Sequence, residues 1–264
     1  MNHKHTAYLV YGLIALLFII VGGIAVFFAG YQLGIYQEAN NDTVLPHFNV
    51  TGPSYPGCNG NVSGCCEYTD CSVALKPVIY LYPTHDEKVN VKLDFPTGFS
   101  ATTPAYNNQS GWNVTAQPNG ALTNLSDGAS YPYLYWEGNP APFAFNMHQG
   151  FVVAGDQTTA FLNKELTAIG LNQNEKAEFI SYWAPKLQAN KYTLIHFAGS
   201  EYTDVAKLSI APSPDSLLRV FMAEEPLDSP VKVTPQTFPT FHRNGFTAVE
   251  WGGTVLSPGF SKAQ

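Results

Sequence analysis

Two short stretches pair a carboxylate with an indole beside glycine: Trp136-Glu137-Gly138 and Glu250-Trp251-Gly252-Gly253. Two carboxylates held about 5–10 Å apart are what glycoside hydrolysis requires, one as acid and the other as base or nucleophile. An indole against a carboxyl group raises its pKa by desolvation and offers a flat face to a sugar ring. Glu137 and Glu250 are therefore the candidate catalytic pair, with Trp136 and Trp251 as candidate ligand contacts. Strand alternation gives the same residues a plainer role, because it turns neighbouring side chains to opposite faces. Each Trp would then enter the core, and each Glu would meet solvent or a partner across the sheet.

Arg219 lies inside the apolar run SLLRVFMA (216–223). A buried guanidinium needs a carboxylate. Glu137 or Glu250 can supply it, and a structural ion pair would account for that residue without catalysis. Arg219 and His148 complete the candidate ligand contacts. The seven histidines form neither H-x-x-x-H nor H-E-x-x-H, so no metal site is expected. His196 sits in apolar alternation and reads as a satisfied core residue, whereas His148 and His242 read as exposed. No G-x-S-x-G elbow, phosphate-cradling glycine loop or G-x-G-x-x-G run is present, so no cofactor is implied.

The elements that would position these residues begin after a greasy leader. Residues 7–31 read AYLVYGLIALLFIIVGGIAVFFAGY without a charge, long enough to cross the ~30 Å hydrocarbon core as a helix. Lys4 precedes the run, and no Lys or Arg follows until Lys76. The positive-inside rule then places the N-terminus in the cytoplasm and the rest outside. A cleaved signal peptide is the competing reading, but its apolar core is shorter, usually about 7–15 residues.

Beyond the anchor, Asn, Gly, Pro, Ser and Thr dominate, and four cysteines cluster as C-x6-C-C-x4-C: Cys58, Cys65, Cys66 and Cys71. Outside the cytoplasm such a cluster reads as disulfides. Adjacent cysteines rarely bond to each other. This leaves Cys58–Cys65 with Cys66–Cys71, or Cys58–Cys66 with Cys65–Cys71. Asn41, Asn49, Asn61, Asn108, Asn113 and Asn124 each open an N-x-S/T triplet, a glycan acceptor where the cell glycosylates. The expected layout is a cytoplasmic leader (1–6), a transmembrane anchor (7–35), a disulfide-stapled stalk (36–75), an extracytoplasmic domain (76–257) and a loose tail (258–264).

Within that domain VIYLYP (78–83) reads as a buried strand, and KVNVKLDF alternates Val89, Val91, Leu93 and Phe95 against polar residues, the mark of a half-exposed strand. GWNVTAQ (111–117) and ALTNL (121–125) flank Asn119-Gly120, a hairpin turn signal. YPYLYWEG (131–138) and GFVVAG (150–155) are further strands. A helix with Phe161, Leu162, Leu166 and Ile169 on one face is expected to start at Asp156 or Thr158 and stop at Gly170. Asn172 and Glu175 form a capping pair for a second, which Pro185 should kink or finish. Strands return at KYTLIHF (191–197), VAKLSI (205–210), 216–223 and GFTAVEWGG (245–253). The pattern predicts an α+β domain, a largely antiparallel sheet with two short amphipathic helices over one face.

The order KPVIYLYP, GWNVTAQPNG, YPYLYWEG, EFISYWAPKL, PDSLLRVFM, GFTAVEWGG resembles an uncharacterised prokaryotic domain family, often found outside the membrane. The resemblance covers Lys76 to Val255 and implies one domain; it brings no catalytic residue and no ligand. Charged residues make up 12% of the chain, aromatics 14%, and the net charge is −7. This leaves no basic footprint for nucleic acid. The expected partners are the bilayer, through residues 7–35, and an envelope glycan or protein at a shallow aromatic groove. An envelope glycan hydrolase using Glu137 and Glu250, and a structural subunit of the cell surface, are the alternatives.

Overall fold

A computed structural model describes residues 71–262. The leader, the anchor and Cys58, Cys65 and Cys66 lie outside the described residues. No helix among the described residues is long and apolar enough to cross a membrane.

In chain order the strands are β1 (Cys71–Ser72), β2 (Leu75–Tyr82), β3 (Glu87–Asp94), β4 (Phe99–Thr103), β5 (Trp112–Ala116), β6 (Leu122–Asn124), β7 (Ser130–Tyr131), β8 (Leu134–Gly138), β9 (Ala141–Pro142) and β10 (Phe151–Ala154). Helices α1 (Thr158–Ile169) and α2 (Gln173–Gln188) follow. After them come β11 (Tyr192–Ala198), the single turn α3 (Ser200–Thr203), β12 (Lys207–Ala211), β13 (Ser216–Leu227) and β14 (Thr247–Val255). A seven-stranded sheet runs β10-β11-β13-β14-β2-β8-β4, and a five-stranded sheet runs β12-β3-β5-β6-β7. β1 pairs only with β9. Every ladder between named strands is antiparallel except β13 with β14. The fold is sheet-rich with few helices.

Two apolar layers hold this together. Ile79, Leu81, Phe221 and Ala248 of the large sheet meet Val91, Leu93, Trp112 and Leu122 of the small one. On the opposite face, Val78, Val220, Val249 and Trp251 meet Leu162, Leu166, Phe179 and Trp183 of the helices. The large sheet is thus covered on both faces, which is why β2 and β14 are apolar along most of their length instead of alternating. β3 keeps strict alternation because its other face meets water: Val89, Val91 and Leu93 are buried and Lys92 and Asp94 exposed.

The local signals explain most boundaries. Gly170 ends α1 in the left-handed region at φ 116°, and Asn172 and Glu175 close a reciprocal capping box at the start of α2. Two expectations are corrected. Neither Asp156 nor Thr158 caps α1: a 3-10 turn at Gly155–Gln157 leads into it, and Gln157 at the cap makes no side-chain bond. Pro185 does not finish α2, which continues to Gln188. A proline that late removes one ladder bond with little helix left to break.

Both ends of the domain also differ from expectation. Pairing starts at Cys71, ahead of Lys76. The tail is not loose through Lys262: the buried Glu225 carboxylate accepts the N–H groups of Gly259 and Ser261, at 2.8 and 3.0 Å. One sheet edge is finished by a side chain. The Gln236 amide accepts from the Phe197 N–H at 2.8 Å and donates to its carbonyl at 3.0 Å, taking the place of a strand residue.

Trp251 faces Val78 and Gly253 faces Leu75, so Lys76 and Pro77 bulge opposite Gly252. Lys76 takes φ 54°, the non-glycine residue in the left-handed region among those described, a conformation costing roughly 1–2 kcal/mol. The two glycines are steric necessities. A Cβ on Gly252 would come within 2.9 Å of Pro77, and one on Gly253 within 2.6 Å of the Trp183 ring. Gly253→Ala should therefore lower unfolding free energy by about 1–3 kcal/mol through overpacking, read as a fall in urea midpoint with the slope unchanged.

Candidate functional site

Arg219 and Glu250 face each other directly across the parallel β13–β14 ladder. Both point into the layer between the sheets, alongside Phe221 and Ala248, because alternate positions share a face. Arg219 Nε donates to Glu250 Oε2 at 2.6 Å, and Nη1 donates to the Ala206 carbonyl at 2.7 Å. Trp136 Nε1, from β8, donates to Glu250 Oε1 at 3.1 Å. The side chains are 8% and 1% exposed. Burial works against the Arg219 charge, but Glu250 and Tyr202 together outweigh it and keep the guanidinium protonated. Tyr202 of α3 stacks on Phe221 with centroids 4.0 Å apart and lies under the guanidinium at 4.8 Å. Burial, then Glu250, pushes the Tyr202 hydroxyl well up from its ordinary pKa. The Arg219 Nη2 and the Tyr202 hydroxyl are among the buried polar atoms without a hydrogen-bond partner.

Glu137 lies on the other face of the sheet. Leu134 and Trp136 enter the inter-sheet layer while Tyr135 packs towards the helices, and alternation puts Glu137 with Tyr135. Its carboxylate, after burial, raises the pKa of the Tyr135 hydroxyl, and it acts in the same sense on Tyr182 of α2. The two glutamates therefore share no cleft, and the geometry of a glycosidase pair is not assembled. Trp136 and Trp251 are both 0% exposed and present no face to a ligand; each belongs to a different core layer. His148 is exposed. His196 is buried, its Nδ1 2.8 Å from the Gln149 carbonyl and its Nε2 3.2 Å from Glu201. No group of three metal-ligating side chains gathers among the described residues.

A concavity lies elsewhere, at the open flank where β4 nears β3 and β12. It is a groove of about 900 Å³ lined by Lys92, Asp94, Phe99, Ser100, Gln109 and Lys207, among others. Its wall is built by Tyr106. The Tyr106 hydroxyl accepts the Leu93 N–H at 2.9 Å and donates to the Leu93 carbonyl at 3.0 Å, just where β5 has run out. Phe99 packs edge-on against that ring, centroids 4.9 Å apart. Asn107 accepts the N–H groups of Gln109 and Ser110, which fixes the turn carrying Asn108 and Gln109. Sequence reasoning missed this groove because its walls come from four separate segments. The only local signal was a tyrosine in a polar turn.

Another buried carboxyl sits near the end of β13. Glu224 faces the helices, beside Ile195 in register, and its Oε2 has no partner. Burial, then the Glu225 charge, pushes its pKa up to about 7.

No family model matches the chain, and no solved structure does. Over 79 residues, 29% of this chain and 80% of the relative, it is 40% identical to the "Uncharacterized protein in bglA 3′region" of Butyrivibrio fibrisolvens. The chain belongs to the same family as that protein.

Glu250→Gln should destabilise the fold by about 3–5 kcal/mol, since it leaves a buried guanidinium uncompensated. Arg219→Met added to Glu250→Gln should recover much of the loss in the same urea titration. Glu224 binds its proton more tightly folded than unfolded, so its contribution is present at pH below about 4.5 and lost as pH rises through about 7. Glu224→Gln should thus be more stable than the parent at pH 8 by roughly 1–3 kcal/mol, the gap closing towards pH 4.

Proposed function

We propose that this chain is a membrane-anchored binding protein of the cell envelope whose groove takes a glycan. The observation that carries the reading is the make-up of the groove. It joins uncommitted amide, hydroxyl, ammonium and carboxylate groups to an aromatic edge at Phe99 and Tyr106. A sugar presents the matching surface: many hydroxyl groups that both donate and accept, set around apolar ring faces. The volume, about 900 Å³, is in the range of sites for ligands of a few rings.

Residues 7–35 would hold the protein in the bilayer with residues 1–6 in the cytoplasm, an assignment supported by hydropathy and Lys4. Disulfides among Cys58, Cys65, Cys66 and Cys71 would brace the stalk of residues 36–75. The domain would act by recognition. Its convergent carboxylate, Glu250, is already engaged by Arg219 and Trp136, and Glu137 stands on the opposite face of the sheet.

Two measurements test this. Protease added to intact cells should remove the domain, while the remaining fragment stays with the membrane. Full-length protein in detergent should bind polysaccharide prepared from the envelope of its own source cells. Gln109→Ala combined with Lys207→Ala should weaken that binding about ten-fold or more with no change in melting temperature. Unchanged binding in the double variant would remove the groove from the mechanism.

A further inference from the structure

On the far side of the large sheet from the groove, the helices stop short of β8. The shelf, uncovered among the described residues, is ringed by Tyr133, Tyr135 and Tyr182, each half-buried. The bulge at Lys76 and Pro77 turns the Lys76 ammonium among these rings, 5.2, 5.3 and 5.9 Å from their centroids. It makes one hydrogen bond, to the Tyr133 hydroxyl at 3.3 Å. Lys186 reaches the same shelf from α2, with Nζ 3.7 Å from the Tyr182 ring centre. Neither lysine forms an ion pair among the described residues. Glu137 stands at the rim, next to the Tyr135 hydroxyl.

We infer that this shelf is a second ligand site, separate from the groove, and that it takes a sugar bearing a carboxylate. Four features of the shelf carry the inference. Lys76 holds a backbone conformation that glycine adopts without strain, and what lysine adds there is the ammonium. That ammonium has three donors, of which the protein uses one. The tyrosine rings offer flat apolar faces beside it, matched to a pyranose and not to a bare inorganic anion. Glu137, near the Tyr135 and Tyr182 hydroxyls, supplies an acceptor for hydroxyl groups. A chain of net charge −7 repels free anions at long range, so an anionic ligand needs ring contacts as well as charge. The inference does not depend on the groove and would stand if the groove bound nothing.

The test uses the full-length chain in detergent, with trigalacturonate, neutral galactotriose and inorganic phosphate as probes in calorimetry. Trigalacturonate should bind at least about ten-fold tighter than galactotriose, the scale of one charge-assisted hydrogen bond, and phosphate alone should not compete. Lys76→Gly should abolish that preference while keeping or raising the melting temperature, because glycine relieves the strain at that position. Tyr135→Ala should weaken both sugars. Gln109→Ala with Lys207→Ala, in the groove, should change neither. Equal binding of charged and neutral trimers, competition by phosphate alone, or full trigalacturonate affinity in Lys76→Gly would each overturn the inference. A Lys76→Gly variant that melts well below the parent would also overturn it, since the lysine would then be serving the fold.

Discussion

The pairing of Arg219 with Glu250 is the constraint to which the rest of the molecule conforms. It joins β13 and β14, the parallel pair in a sheet otherwise built antiparallel, and so sits where the ladder is least specified by a tight turn. The chain must travel from Leu227 to Thr247 between them. A slip by one residue would carry the guanidinium into one layer and the carboxylate into the other. Each would then be buried without its partner, which is far more costly than losing the pair altogether. The Trp136 indole extends the same requirement to β8. What the pair provides is therefore register, since a buried ion pair adds little net stability over an apolar replacement.

That register fixes which surfaces remain for recognition. With helices on one face of the large sheet and the small sheet on the other, its middle strands have no free side. Among the described residues, β8 and β4 and the flank where β4 nears β12 leave concave or uncovered ground. Both proposed sites lie there. Their residues come from edges and turns, which is usual where a rigid scaffold carries loops that bind.

Much of the scaffold is legible in the sequence, for identifiable reasons. Val89, Val91 and Leu93 announce a one-sided strand because their other neighbours meet water. Asn172 and Glu175 announce a helix start because the capping box is a local bond pattern. The requirement of Arg219 for a carboxylate is legible too, though not which one, since Glu137 and Glu250 differ only in the face their strands present. The Trp-Glu and Glu-Trp pairs mislead for the same reason: indole and carboxylate are adjacent in sequence but lie on opposite faces of the sheet. Lys76 gives no warning of its left-handed backbone, because lysine carries no mark of it. Tyr106 gives none of its role because its partner, Leu93, is reached through tertiary packing alone.

The Gln236 amide has a consequence for how copies of this protein meet. By occupying both backbone groups of Phe197 it leaves nothing there for an incoming strand, whereas the outer rim of β4 and that of β12 carry no such cover from a neighbouring strand. The outermost strands are β10 and β4 in the large sheet and β12 and β7 in the small one. A second copy that extended the ladder at β4 or β12 would meet the flank that holds the groove, so self-association there and occupancy of the groove would compete for the same edge.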